Sequence, residues 1–507
     1  MNFARYIEFW SRMRSDESVI RFNDNTVTWR EFAEQSRGVA AAYQAAGVRH
    51  GDRVGCLLDN SIEWCLAFAG AILAGGVLVP LNSAFGYMEL RAIERDAGCR
   101  IVVSTPALLR KLDISVEGFD ESDVLVVDRC DKASPVKLSE ALKNGATFVA
   151  PAYGDTDLFA IAYTSGTTGL PKGVMMTHAS VDAMCGGLSA CLGWTADDRF
   201  LVVAPLAFTG GFISKIAPVL KVGCSVRVEP SFEAARALRL IEVERITDFG
   251  GVPGLWQRLA EAPGFDAADL SSLKNGVTGG APVPRQLLET FLKKGVLIRQ
   301  QYGCTEAGGG GTMPTPRGAI DHPTSCGFAM CSLDLQVQDE TGAPAPEGAI
   351  GEICVKGPQI MTGYWNQPEM TQSAFNGTWY RTGDLGRMDE HGLSVVDRKK
   401  NMVISGGVNI YPAEVERALS SVPGVAEIVV FGIPSNVWGE ELVGIVHPRG
   451  ELDLDAFRAE ARERLGRMKT PKQFIISRAP LPRTVTNKVA RTNLAALFSE
   501  LSAKDTG

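Results

Sequence analysis

One segment of the chain combines glycines, hydroxyls and a lysine at a density that suits a bound phosphate. It covers residues 163–174 and follows an apolar run, residues 158–162, that is typical of a buried strand. Glycines let a backbone turn bring its N–H groups close to an anion, and hydroxyl and ammonium groups add further donors. The chain has no Gly-Lys dipeptide, which excludes a Walker loop. The predicted phosphate ligands are Thr164, Ser165, Gly166, Thr167, Thr168, Gly169 and Lys172.

This segment and those that follow it resemble, in the same order, the signatures of the adenylate-forming superfamily. That superfamily includes acyl-CoA synthetases, the adenylation domains of peptide synthetases, and luciferases. The matching segments extend from Tyr163 to Lys488, so the resemblance covers nearly the whole chain, and their order makes it specific. The later segments are residues 302–306, 380–384, 397–407 and 411–416, followed by Lys488.

The resemblance implies a two-step reaction of a carboxylic acid with ATP, Mg²⁺ and coenzyme A. ATP first yields an acyl adenylate and pyrophosphate, and the thiol of CoA then takes the acyl group and releases AMP. A stand-alone enzyme that loads a carrier-protein thiol is the alternative, since it would share most of these segments. An inactive relative that binds nucleotide or acyl ligands as a sensor is a second, non-catalytic alternative.

Like charges must be offset when a carboxylate approaches a triphosphate, and Mg²⁺ does this when one or two carboxylates and phosphate oxygens hold it. The resemblance makes Glu306 the metal ligand and places Thr305 beside it, facing the α-phosphate. Asp384 is expected to accept hydrogen bonds from the ribose hydroxyls. Arg398 is expected to contact the ribose or a phosphate, or else to form a domain-interface salt bridge. The adenine is expected beside Gly279, Gly280, Ala281, Pro282 and Tyr302.

Lys488 is the expected catalytic residue, because an ammonium between the acid and the α-phosphate stabilises the charge of the transfer. Asn487 departs from the superfamily, in which a glycine usually precedes this lysine. The second step needs a path for a thin pantetheine chain, and the resemblance assigns a hinge to Lys400 and the wall of the path to Gly406 and Gly407. Eight basic residues and no acidic ones lie between residues 464 and 491, which suits a polyphosphate or a solvated basic surface.

The acyl side is expected around Phe208, where many CoA ligases carry Phe-His. Thr209 has no charge to pair with a substrate ammonium, so an amino acid is a disfavoured substrate. Glycines nearby leave room for a bulky or long tail. We therefore expect a mainly apolar acid, whether fatty, alicyclic, aryl or sterol-derived. The expected pocket residues are Phe208, Thr209, Gly210, Gly303, Gly308 and Gly309.

Composition sets limits on the class of protein. At 507 residues the chain is too long for one ordinary core, and its net charge of −7 argues against a general nucleic-acid binder. Eleven scattered cysteines suit a reducing cytoplasm better than a disulfide framework. No membrane span is predicted, since Gly75, Gly76 and Pro80 interrupt the one long apolar run. No signal peptide is predicted either. A homodimer is possible.

Alternating helix and strand patterns predict an α/β fold that positions these residues. We expect a large N-terminal domain of parallel-type sheets flanked by helices, with a small barrel-like section after Gly327, and a small mobile α+β C-terminal domain. The predicted boundaries are residues 1–397 for the large domain, 398–400 for the hinge and 401–507 for the lid. Residues 64–81 predict a buried helix, a glycine turn and a short strand.

Overall fold

A computed structural model describes most of the chain. The described residues are 2–129, 135–143, 148–164, 171–281, 283–405, 408–435, 438–484 and 489–505. They form two compact units, and two segments of the chain contribute to each unit. The first unit contains residues 1–335 and 355–380, and the second contains residues 336–354 and 381–507.

Helices occur along the whole chain and are mostly short. In chain order they are α1 Phe3–Met13, α2 Trp29–Ala45, α3 Ile62–Ala74, α4 Tyr87–Ala97, α5 Pro106–Leu109, α6 Leu138–Lys143, α7 His178–Leu192, α8 Thr209–Gly211, α9 Ala217–Val222, α10 Ala234–Val243, α11 Pro253–Ala260, α12 Arg285–Lys293, α13 Pro316–Asp321, α14 Pro368–Ser373, α15 Pro412–Ser420, α16 Leu454–Lys469 and α17 Leu494–Asp505. A π turn, Phe212–Ile216, joins α8 to α9.

Strands alternate with these helices. In chain order they are β1 Ser18–Phe22, β2 Asn25–Thr28, β3 Arg53–Leu57, β4 Val77–Pro80, β5 Cys99–Ser104, β6 Leu125–Asp128, β7 Val136–Lys137, β8 Leu158–Thr164, β9 Lys172–Thr177, β10 Arg199–Val202, β11 Ser225–Val228, β12 Asp248–Gly251, β13 Asn275–Gly279, β14 Ile298–Gln301, β15 Thr312–Met313, β16 Phe328–Ala329, β17 Asp334–Gln338, β18 Gly351–Lys356, β19 Gly363–Tyr364, β20 Phe375–Asn376, β21 Trp379–Asp389, β22 Gly392–Arg398, β23 Val403–Ser405, β24 Val408–Ile410, β25 Val425–Ser435, β26 Gly439–Pro448 and β27 Gln473–Ile476.

Two large sheets form the first unit. One has the order β14-β13-β12-β10-β11-β1-β2 and the other the order β19-β9-β8-β4-β3-β5-β6-β7. Their central strands are parallel, as expected. Antiparallel strands extend both sheets, however: a short turn connects β1 with its antiparallel partner β2, and β9 pairs antiparallel with β8. The sheets are therefore parallel at the centre and mixed at the edges.

Helix α3 is buried over nearly its whole surface, as the sequence predicted for residues 64–81. Ser61 caps its start by accepting the Trp64 N–H, and Gly75 ends it at φ 71°. Its Trp64 and Phe68 rings contact Phe212 of the π turn, with ring centroids 6.2 and 6.3 Å apart. Burial of one such phenylalanine contributes about 1.5–3 kcal/mol. The π turn is thus anchored in the core of the first unit.

The second unit has its own core around a mainly antiparallel sheet of order β24-β23-β26-β25, with β27 parallel to β26. Side chains alternate between its faces. Val430 and Val446 pack with residues of α15 and α16, whereas Val429 and Ile445 pack with residues of α17. In the same unit β21 and β22 form an antiparallel pair within the section where short strands were expected. The expected α/β and α+β classes are confirmed.

In the described part of the chain, every helix is too short or too polar to cross a bilayer.

His178 introduces a dependence of stability on pH. Its Nδ1 accepts the Phe3 N–H at 3.2 Å, which satisfies an amide in the first turn of α1. Only a neutral imidazole can accept there. Burial lowers the pKa of His178 to about 4, against the opposing charge of Asp157. The unfolded chain therefore binds a proton that the folded chain does not bind as pH falls from about 6.5 towards 4.

We predict that titration of His178 lowers the free energy of unfolding of the wild-type first unit by about 2 kcal/mol between pH 7.5 and pH 5. His178→Asn keeps an acceptor but does not titrate, so its loss over the same interval is smaller by that amount. Urea denaturation midpoints of both proteins at the two pH values measure the difference. Equal losses would contradict the assignment to His178.

Candidate active site

Glu306 lies in a 3-10 turn, Thr305–Ala307, beyond the carboxyl end of β14. Its Oε1 accepts a hydrogen bond from the Tyr364 hydroxyl at 3.0 Å, and its carbonyl oxygen accepts the Met361 N–H at 2.9 Å. Tyr380 Oη lies 3.3 Å from Tyr364 Oη. Burial and the charge of Glu306 raise the pKa of Tyr364, so its hydroxyl keeps the proton that it donates. These bonds fix the direction of the Glu306 carboxylate.

The two ends of the predicted phosphate-binding turn lie side by side. Thr164 ends β8, Lys172 begins β9, and the two residues are paired across these antiparallel strands. Lys172 Nζ is 5.5 Å from the centre of the Tyr364 ring, so an ammonium group adjoins the Tyr364–Glu306 pair. The other predicted ligands, Ser165, Gly166, Thr167, Thr168 and Gly169, lie outside the described residues.

The predicted adenine site lies at the carboxyl end of β13. Gly279 pairs with Gln301 of the parallel strand β14, so the turn at Gly280 and Ala281 adjoins the one that begins at Tyr302. A Cβ on Gly279 would lie 3.1 Å from the Gln301 carbonyl oxygen, and Gly280 has a φ of 78°. The close approach and the left-handed turn both favour glycine. Pro282 is outside the described residues.

The predicted acyl-side glycines lie directly against the Glu306 turn. A Cβ on Gly303 would come within 2.6 Å of the Gly309 carbonyl oxygen, and Gly308 and Gly309 have φ values of 74° and 90°. Thr209 Oγ1 donates to Thr305 Oγ1 at 3.4 Å. The structure therefore brings the start of α8 to the turn that carries Glu306.

Phe208 immediately precedes α8 and lies beside Phe85, with ring centroids 6.2 Å apart. A Cβ on Gly210 would meet no atom within 4 Å among the described residues. Phe208, an expected residue of the acyl pocket, thus has an aromatic neighbour.

Asp384 and Arg398 belong to the second unit, where they are paired across β21 and β22. Arg398 Nε lies 3.3 Å from Asp384 Oδ1. The Asp384 side chain is 12% exposed and that of Arg398 is 59% exposed, so the carboxylate is fixed and the guanidinium extends to solvent. Lys400 lies in the 3-10 turn that follows β22.

Glu352 supports this region of the second unit. It accepts hydrogen bonds from Arg381 Nη2 at 2.8 Å, Lys399 Nζ at 3.1 Å and the Gly383 N–H at 3.2 Å. Burial opposes ionisation, but Arg381 and Lys399 hold the pKa of Glu352 below its usual value. The carboxylate therefore connects the turn before Asp384 with the residue after Arg398.

Lys488, Gly406 and Gly407 lie outside the described residues, but an ion pair fixes the chain just beyond Lys488. Arg491 Nη2 lies 2.7 Å from both oxygens of Glu416, and its Nη1 donates to the Val430 carbonyl at 2.9 Å. Glu416 is on α15 and also accepts the Val430 N–H at 2.7 Å. A bidentate pair of this kind holds Arg491 in one orientation.

Known proteins match both units. A model of the AMP-binding enzyme family matches residues 7–365, and a model of the AMP-binding enzyme C-terminal domain matches residues 414–488. The chain belongs to the AMP-binding enzyme family. Among the described residues there is no cluster of three or more acidic, His or Cys side chains that could hold a metal. Glu306 of this AMP-binding enzyme could hold Mg²⁺ as a single carboxylate, because Mg²⁺ accepts one or two carboxylates when phosphate oxygens complete its shell.

Curated relatives cover nearly the same length as this AMP-binding enzyme. The long-chain-fatty-acid–CoA ligase FadD13 of Mycobacterium tuberculosis is 34% identical over 94% of each chain. The feruloyl-CoA synthase of an Amycolatopsis species is 34% identical over 96% of this chain and 97% of its own. The solved o-succinylbenzoate CoA synthetase of Bacillus subtilis, in complex with ATP and magnesium, has a TM-score of 0.85 at 28% identity and covers 97% of this chain and 99% of its own. These matches place the chain in the acyl-CoA synthetase branch of the family.

The sequence did not single out Tyr364 as a site residue. It lies 58 residues beyond Glu306, in the two-residue strand β19 that pairs with β9. Its local sequence, Gly-Tyr-Trp, carries no charge and no spacing that suggests a role at a metal site. Only the strand pairing brings its hydroxyl to the carboxylate.

The Glu416–Arg491 pair yields a prediction about the second unit. Burial raises the pKa of Glu416 to about 7, against the pull of Arg491. A raised carboxyl pKa favours folding at low pH and disfavours it as pH rises through about 7. Arg491→Met therefore lowers the free energy of unfolding of the second unit by about 2 kcal/mol at pH 8. It lowers it by less at pH 6, where Glu416 can take up a proton.

Urea denaturation at pH 6 and pH 8 measures this effect. The matched control is the double variant Glu416→Met with Arg491→Met, which buries no charge and should recover most of the loss at pH 8. A double variant less stable than Arg491→Met at pH 8 would contradict the prediction.

Proposed function

We propose that the chain is an ATP-dependent carboxylic acid–CoA ligase acting on a mainly apolar acid. It forms an acyl adenylate and pyrophosphate from ATP, and then an acyl-CoA and AMP. The observation that carries the proposal is the match of both family models, together with a carboxylate at Glu306 that Tyr364 orients beside the ammonium of Lys172. Its substrates and cofactor are ATP, CoA and Mg²⁺.

Charge neutralisation is the first task of the site. Lys172, Thr164, Thr305 and the glycine and hydroxyl groups of residues 165–169 bind the phosphates. Glu306 would hold Mg²⁺ through its carboxylate, which the hydrogen bond from Tyr364 to Oε1 keeps oriented. When bound, Mg²⁺ offsets the negative charge of the phosphates so that a carboxylate can approach.

We propose ligands for the nucleoside by resemblance to the superfamily. Gly279, Gly280, Ala281, Pro282 and Tyr302 form the adenine site. Asp384 accepts from the ribose hydroxyls, and its neighbour Arg398 contacts the ribose or a phosphate. We assign these roles by resemblance, and the fixed carboxylate of Asp384 supports the assignment.

The two steps use the second unit differently. Lys488 contributes its ammonium to adenylation, where it bridges the acid and the α-phosphate. Residues 398–400 act as a hinge between a large domain of residues 1–397 and a lid of residues 401–507. After the hinge turns, Gly406 and Gly407 line the path of pantetheine.

Named relatives support the class of acid. They include ligases named for long-chain fatty acids, ferulate, indoleacetate and 2-succinylbenzoate. The pocket of this chain is formed by Phe208, Thr209 and the nearby glycines. Thr209 cannot bind a substrate ammonium. Loading of a carrier-protein thiol is not favoured, because these relatives are named as CoA ligases or synthases.

We further propose that the enzyme works in the cytoplasm on a small-molecule acid and free CoA, and that it can form a homodimer. Its net charge of −7 and scattered cysteines support a cytoplasmic setting without a nucleic-acid partner.

Tyr364→Phe tests the metal-site arrangement. It removes the donor that orients Glu306, so we expect ATP–pyrophosphate exchange to fall about 10-fold and the Mg²⁺ concentration for half-maximal exchange to rise. Tyr43→Phe is the matched control, since its buried hydroxyl donates to the Ala67 carbonyl at 3.3 Å away from the site. An equal loss in both variants, or an unchanged Mg²⁺ requirement, would count against the role of Tyr364.

Lys488→Ala tests whether this lysine acts in adenylation and not in thioester formation. Loss of an electrostatic stabiliser should slow carboxylate-dependent pyrophosphate exchange at least about 100-fold. Conversion of a supplied acyl adenylate and CoA into the thioester should stay within a few fold of wild type. Equal damage to the two half-reactions would refute the assignment.

A further inference from the structure

A fully buried glutamine, Gln359, is bonded to the backbone directly after Glu306. Its side chain is enclosed by the first unit, and the residue is 1% exposed. Its Nε2 donates to the Ala307 carbonyl at 2.7 Å and to the Gly310 carbonyl at 2.5 Å. One amide group therefore connects the two ends of residues 307–310, Ala-Gly-Gly-Gly, which we call the glycine loop.

The partners of this amide fix its orientation. A carbonyl oxygen only accepts hydrogen bonds, so the nitrogen of Gln359 must face the glycine loop. The Gln359 Oε1 in turn accepts the Ser332 hydroxyl at 2.5 Å. A glutamate at this position would direct oxygen lone pairs at two carbonyls, and a methionine would offer them no donor. The two N–H groups of a glutamine are thus both used.

The segment that follows Gln359 holds Glu306 itself. The Met361 N–H donates to the Glu306 carbonyl at 2.9 Å, and the Tyr364 hydroxyl donates to its Oε1 at 3.0 Å. These two bonds fix the backbone and the carboxylate of Glu306, whereas the bonds of Gln359 fix the loop after it. Different side chains of one segment therefore hold the metal-site carboxylate and the glycine loop.

The glycine loop packs against the residues expected on the acyl side. A Cβ on Gly309 would lie 3.2 Å from Thr209 Cγ2 and 2.9 Å from Ser214 Oγ. A Cβ on Gly308 would lie 3.1 Å from Met184 Cγ of α7. The loop thus contacts α8, the π turn and α7. Because Thr209, Gly308 and Gly309 are expected pocket residues, a displacement of the loop would move one wall of that pocket.

We propose that Gln359 is a positioning residue, which holds the glycine loop in the conformation that binds the acid. The inference rests on the proposed function, because it takes the loop as a wall of the acyl pocket. Gly308 and Gly309 have φ values of 74° and 90°, and glycine restricts φ and ψ little. A loop of this composition needs hydrogen bonds from outside to keep one conformation. Their loss should weaken binding of the acid more than it slows adenylation.

Gln359→Met removes both donors and changes the volume of the side chain little. ATP–pyrophosphate exchange is first measured for the wild type with octanoate, palmitate, cyclohexylpropanoate and ferulate, and the acid with the highest kcat/KM is used for the variants. We expect KM for this acid to rise about 10-fold, with kcat and KM for ATP within about 3-fold of wild type. The half-maximal Mg²⁺ concentration should not change, in contrast to Tyr364→Phe, because the bonds of Glu306 remain.

Ser332→Ala is a milder variant that decides the question if Gln359→Met does not fold. It keeps the N–H donors of Gln359 but removes the hydroxyl that fixes the amide. We expect KM for the acid to rise about 3-fold, again with little change in kcat. A fall in kcat with an unchanged KM for the acid, in whichever of the two variants folds, would overturn the inference.

Asn275→Leu is the matched control for a general loss of packing. It removes another buried amide, which donates to the Leu192 carbonyl at 3.1 Å and accepts Arg299 Nη2 at 3.3 Å. Asn275 begins β13, at the end of the strand opposite to the site. Its variant should keep KM for the acid within about 2-fold of wild type. An equal rise in the control would refute the role of Gln359, whereas wild-type exchange with none of the four acids would refute the proposed function.

Discussion

Repulsion between a carboxylate and a polyphosphate is the constraint that this active site must meet. The first unit offsets this repulsion with positive charge and oriented hydrogen-bond donors at one place. Lys172 lies over the ring of Tyr364, and the hydroxyl of the same tyrosine donates to Glu306. Because the pKa of Tyr364 is raised, its hydroxyl does not become a further anion beside Glu306. One side chain thus connects Lys172, at the end of the predicted phosphate-binding segment, with the carboxylate proposed to hold Mg²⁺.

Parallel strands make this concentration of groups possible. Their carboxyl ends lie at one edge of a sheet, so the turns after β13 and β14 are neighbours although a helix separates the strands in sequence. A side chain at Gly279 would meet the Gln301 carbonyl oxygen, and a side chain at Gly303 would meet the Gly309 carbonyl oxygen. Glycine is therefore needed where backbone meets backbone, and not only where a ligand passes.

The π turn connects the core of the first unit with the turn that carries Glu306. Phe212 is held by the rings of α3, and that contact fixes the directions of Ser214 and Lys215 two and three residues later. π turns are uncommon and occur frequently at functional sites, where they redirect a side chain. Here the redirected side chain is a lysine whose charge is balanced by a fully buried aspartate. Such a pair contributes little net stability after desolvation.

The sequence alone determined the class of fold, the buried helix α3 and the order of the site motifs, because each depends on local pattern: apolar periodicity, glycine positions and short runs of chemically distinctive residues. It predicted Glu306 from its neighbours Tyr302 and Thr305, and Asp384 from the Thr-Gly-Asp segment. It did not predict the antiparallel strands that extend the sheets, such as β9 beside β8, because that pairing depends on the direction in which the chain returns. Tyr364 beside Glu306, Arg491 on Glu416 and Lys215 on Asp248 were decided only by the tertiary structure, since each pair joins residues far apart in the chain whose partner no local spacing specifies.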